Sequence, residues 1–171
     1  MDPEVVHGRD VERYAAQFAP GMREDIRSDV VYRTAVAAGH RLLDVPVKAT
    51  GTMTFGVGQP GELVVRTEHS FAYAFQPPDP ERVTDTMDIV SIVRVSAEYS
   101  FYRGNWEPEG LGLWLTKTQV YLYSAQCAAA NAGYLAPAIS DTTTAERLGD
   151  EEEVREQVFD PAQPPPTETN C

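Results

Sequence analysis

Hydrophobic and polar positions change period once along this chain. Within DVERYAAQFA, Val11, Tyr14, Ala15 and Phe18 fall at i, i+3, i+4 and i+7, and Asp10 stands where an N-cap belongs. The pattern predicts a helix over 10–19, stopped by Pro20-Gly21. Met22, Ile26 and Val30 continue at a spacing of four, which favours a second helix over 22–39 ending at Gly39. VVYRTAVA in the same stretch has the composition of a strand, so both readings stand at this point.

From Pro46 onward the period is two. Val47, Ala49, Gly51, Met53, Phe55 and Val57 alternate with Lys48, Thr50, Thr52 and Thr54, a half-buried strand over 47–57. GQPG supplies a turn. A second strand over 62–75 puts Leu63, Val65, Phe71, Tyr73 and Phe75 opposite Arg66, Glu68 and Ser70. The prolines of QPPDPER end it, because proline cannot donate to a ladder. A third strand over about 87–102 sets Val93, Val95, Ala97, Tyr99 and Phe101 against Arg94, Ser96, Glu98 and Ser100. GLWLTKTQVYLYSAQC, residues 112–127, is the fourth. A strand of fourteen residues spans roughly 46 Å at about 3.3 Å per residue, well above the usual five or six residues. Strands this long must twist and curl. The expected fold is therefore α+β: an N-terminal helix or helices packed on a long, curved, mainly four-stranded antiparallel sheet, a cone or roll. Residues 1–139 form that domain, and 140–171 an acidic, proline-rich C-terminal tail.

Charge narrows the partners. The 171 residues carry a net charge of -12. Residues 140–171 hold nine acids against two arginines, a net of −7. Nucleic acid and anionic lipid both require clustered cations, so neither is an expected partner. No run approaches the roughly 20 apolar residues of a membrane span. The opening MDPEVVHGRD has no charged-then-apolar leader, and membrane attachment is expected only through an N-terminal segment upstream of it.

Candidate chemistry is sparse. His69 shares the apolar face with Phe71 and Tyr73, where an imidazole can act as a base if a carboxylate holds its second nitrogen. That register offers Thr67 and Ser91, while Glu68 and Glu98 point the other way. The histidines lack ligand-pair spacing, so no metal or other cofactor is expected. Asp85 and Asp88 read as turn formers, and GVGQPG as a hairpin rather than a phosphate loop. Trp106 and Trp114 flank a loop that follows Tyr99, Phe101 and Tyr102, an aromatic rim. His69, Tyr73, Tyr99, Phe101 and Trp114 make up the candidate ligand-contacting set.

Cys127 and Cys171 allow one pairing. No CxxC, zinc spacing or Cys–His signature surrounds either. A reduced pair is one reading. The favoured one is a disulfide that returns the tail to the sheet, closing a loop of roughly 45 residues with about 4 kcal/mol of stabilisation in the loop-entropy model. It implies an oxidising compartment.

VKATGTMTFG, LVVRTEHSFAYAFQPP and GLWLTKTQVYLYSAQCAAANAGYLAPA resemble segments of uncharacterised actinobacterial membrane-anchored or secreted ectodomains, as does the ending DPAQPPPTETNC. The resemblance covers residues 45–171 and implies an extracytoplasmic domain with no assigned catalytic residues. The order of elements is also similar to the NTF2-like class, which contains both enzymes and non-catalytic assembly domains. The leading expectation is a non-catalytic extracytoplasmic domain for protein interaction, self-association or envelope assembly. The alternative is an NTF2-like small-ligand binder or enzyme built around His69.

Overall fold

A computed structural model of the chain describes residues 10–32, 35–140, 158–160 and 162–163. Its centre is an antiparallel meander of four strands: β2 (Lys48–Val57), β3 (Glu62–Ala74), β4 (Val90–Tyr102) and β5 (Gly112–Tyr123), in the order β2-β3-β4-β5. A two-stranded parallel pair, β1 (Ala35–Val36) and β6 (Tyr134–Leu135), stands apart from it. The α+β class and the mainly antiparallel four-stranded sheet thus agree with the alternation of the sequence.

The helices are shorter than the sequence predicts. α1 (Val11–Ala15) is capped by the Asp10 carboxylate, which accepts from the Arg13 amide at 2.8 Å. Its stripe then buries Ala15 and Phe18. The helix expected over 22–39 is corrected: α2 covers only Arg23–Ser28. Asp29 turns extended, a 3-10 turn covers Val30–Tyr32, and Ala35–Val36 is strand. Helical spacing therefore held for Met22 and Ile26, and strand composition prevailed at Ala35 and Val36. A third helix, α3 (Cys127–Asn131), follows the sheet.

Pairing across the sheet brings Phe71, Val93 and Leu122 onto one face, with His69, Val95 and Val120 beside them. Two separate covers lie on this face. At one end Phe18, Met22 and Ile26 pack on Tyr99, Leu113 and Leu115. At the other, Val36 and Leu135 pack with Phe75, Val93 and Ala125. The register shift between Glu98 and Tyr99 leaves Thr116 as an extra residue on β5, a bulge that adds to the curl.

The opposite face is not simply polar. Ile92, Tyr121 and Tyr123 form a third apolar cluster there, closed by the buried Val158 with Phe159 beside it. Arg94 is buried on the same face and donates to the Gln163 carbonyl. Val158, Phe159 and Gln163 thus lie against the sheet.

Candidate interaction surface

The two edges of the sheet are treated differently. The β5 edge is met by the N-terminal segment, whose Ala19 amide donates to the Leu113 carbonyl at 2.8 Å. Gly21 donates to the Glu109 carbonyl at 3.0 Å and lies close to the Trp114 ring. Among the described residues the β2 edge carries no such cover: every β2 residue but the half-buried Gly56 is exposed. Edge strands are ordinarily blunted by charge, proline or a bulge. Ala49–Val57 contains no charged residue and no proline, and its pairing with β3 runs unbroken from Lys48↔Ala72 to Val57↔Leu63.

This edge is also apolar on one face. Met53, Phe55 and Val57 are 52%, 68% and 87% exposed. Leu63 opposite Val57, and Phe101 opposite Leu63, extend the patch inward and are exposed too. Together the five side chains form an exposed apolar patch, a feature that on a monomer is often functional.

The tip of the β2–β3 hairpin is held in place. Gly61 has φ +87°, a conformation that glycine adopts without strain. Its carbonyl accepts from the Arg103 amide at 3.0 Å, and the Trp106 indole stands against it, packed on Tyr102 at 4.5 Å between ring centroids. The Glu62 carboxylate accepts from the Ser100 hydroxyl at 2.7 Å and the Gln59 amide at 2.9 Å. These bonds, the Ser100 one first, hold its pKa below the usual carboxylate value.

The candidate set of the sequence is dispersed. His69 and Tyr73 stay together through Phe71, with ring centroids 5.9 and 6.3 Å apart along the row. No carboxylate among the described residues bonds to His69; its ring instead fills the space beside Gly51. Tyr73 joins the cluster of Val36 and Phe75, and burial raises its phenol pKa. Tyr99 and Trp114 pack under the helical cover, where Trp114 donates to the Gly110 carbonyl at 2.9 Å. Phe101 alone of the set belongs to the exposed patch.

Two polar arrangements were not legible from spacing. A groove of about 710 Å³ is lined by Arg66, Glu68, Ser96, Glu98, Lys117 and Gln119 with Tyr32 and Leu115. Its carboxylates are engaged: Glu68 accepts from Ser96 at 2.6 Å, and Glu98 pairs with Arg66 at 2.6 Å and Lys117 at 3.8 Å. His40 Nε2 lies 2.8 Å from the Ser140 hydroxyl, a pair brought together across 100 residues. His40 Nδ1 is buried and bonds to no described residue, so no described carboxylate orients this imidazole for catalysis. Asp88, expected as a turn former, is buried and accepts from the Thr84 and Asp85 amides as part of a capping box.

Among the described residues, no group of three His, Cys, Asp or Glu side chains could hold a metal ion, and no helix is long and apolar enough to cross a membrane. No cysteine among them is free. The expected partner of Cys127, Cys171, lies outside the described residues. Comparison with protein-family models, curated proteins and solved structures returns no match.

Proposed function

We propose that this chain is a non-catalytic protein-interaction domain whose contact surface is the β2 edge and the apolar face beside it. The observation that carries this reading is the exposure of Met53, Phe55 and Val57 within Ala49–Val57, a stretch of edge strand with no charge or proline, paired to β3 without a bulge. Such an edge is a template for another strand. An extracytoplasmic location and an NTF2-like origin belong to the same proposal. So does a Cys127–Cys171 disulfide, in keeping with the lack of a free cysteine among the described residues. The mass of non-reduced protein before and after alkylation tests the bond.

Proximity labelling from the chain in its own host tests the interaction. Wild type is compared with a Met53→Lys, Phe55→Lys variant whose fold is checked by circular dichroism. The proteins labelled by wild type should be lost with the variant. An unchanged set would place the contact surface elsewhere.

A further inference from the structure

We propose that the β2 edge pairs with β2 of a second copy, antiparallel about a two-fold axis at Met53, to give a continuous eight-stranded sheet. The inference rests on the reading of this edge as the contact surface and names its occupant. A two-fold axis perpendicular to the sheet keeps each face continuous, so residues pair only with residues of the same face. Centring on Met53 sets Thr52 opposite Thr54 and Phe55 opposite Gly51 on both sides of the axis. Cross-strand Thr–Thr pairs are favourable, and an aromatic ring over a glycine on the facing strand is a known way to stabilise an edge glycine. At Gly51 the facing Phe55 would meet the row of His69, Phe71 and Tyr73, extending rings that already pack together.

Charge selects this register over its neighbours. Lys48 is exposed and makes no ion pair with a described residue. Centred on Met53, it falls opposite Gly58 of the second copy, and the Glu62 carboxylate lies over Gly58. Each Lys48 thus meets the other copy's Glu62, twice per dimer. Moving the axis by one residue along the strand, to Thr52 or Thr54, removes both this pair and the Phe55–Gly51 contact. Among the described residues, α1 and α2 do not obstruct the seam, because they cover the β5 side of the sheet, and α3 packs on β6. A seam of one strand buries less than the about 800 Å² per partner of a standard interface, so the dimer is concentration-dependent.

Sedimentation of the full chain over a concentration series should show a monomer–dimer equilibrium, and Met53→Lys, which sets two cations at the axis, should abolish it. Under mild oxidation Met53→Cys should link to itself, since facing residues of antiparallel strands lie within disulfide reach. Thr52→Cys, displaced from its own copy across the axis, should link far less; mass spectrometry of the linked peptides separates these bonds from those of Cys127 and Cys171. A wild type that stays monomeric at NMR concentrations overturns the proposal. So does a dimer that survives Met53→Lys, or equal linking at both positions. If the wild type is monomeric while the labelled set still depends on Met53 and Phe55, a different protein occupies the edge; self-pairing then fails and the interaction reading stands.

Discussion

The imidazole of His69 occupies the space that a side chain at position 51 would need. A Cβ on Gly51 would come 2.5 Å from its Cδ2 and 2.7 Å from its Cγ, and would also crowd the Glu68 carbonyl. The glycine is thus explained by its cross-strand neighbour and not by its backbone angles. Gly51→Ala should destabilise the fold by about 1–3 kcal/mol, the usual cost of forcing atoms into an occupied site. Urea unfolding measures it. In the His69→Ala background the loss should be smaller, because only the carbonyl contact remains. Equal losses in both backgrounds would mean that His69 and Gly51 are not coupled.

Much of the sheet was legible because alternation is a local signal. The strands expected over 47–57, 62–75, 87–102 and 112–127 correspond to β2, β3, β4 and β5 with small shifts at their ends. The shared face of His69, Phe71 and Tyr73 followed from the same period. Alternation says which face is apolar but not which part of it acquires a cover. Here the covers come from distant segments, Phe18–Ile26 and Val36 with Leu135, and neither reaches Met53, Phe55 or Val57. The surface emerged only from that mismatch. The lack of any guarding residue in Ala49–Val57 was a sequence signal that could have found it.

Val158 sits in an acidic, proline-rich region with no periodicity, yet it is fully buried against Ile92, Tyr121 and Tyr123. Val158→Ala should therefore lower stability by about 1–3 kcal/mol through lost burial and the cavity left behind. Chemical denaturation monitored by tyrosine fluorescence checks this. A stability within a few tenths of a kcal/mol of wild type would show that the segment contributes no packing.

The Glu62 carboxylate titrates below its usual value because the Ser100 hydroxyl and the Gln59 amide both donate to it. A depressed folded-state pKa contributes stability above the unfolded value, and that contribution is lost as pH falls through the folded value. Acid should accordingly loosen the hairpin tip. In an NMR titration of the carboxyl carbons, Ser100→Ala should move the Glu62 midpoint upward. No movement would assign the depression to Gln59 and Tyr102 instead.

Tyr14 joins the helical cover to the segment after it. Its hydroxyl donates to the Tyr32 carbonyl at 3.0 Å, and its ring packs edge-on against Phe18 with centroids 5.3 Å apart. Burial, with nearby Tyr99 adding to it, pushes the phenol up to about 12. The unfolded chain ionises near 10. The folded state holds this proton longer, so the stability linked to it is complete below pH about 10 and is lost as pH rises through about 12. Tyr99, Tyr73 and Tyr121 are raised by burial as well and add to the decline. Tyr14→Phe should cost about 0.5–1.5 kcal/mol at neutral pH through the lost hydrogen bond. Its stability should then fall less steeply than that of wild type between pH 10 and 12, because one of the ionising groups is gone. Urea midpoints at a series of alkaline pH values measure both effects. Parallel profiles for the two proteins would mean that the Tyr14 hydroxyl is not held in its buried, protonated form.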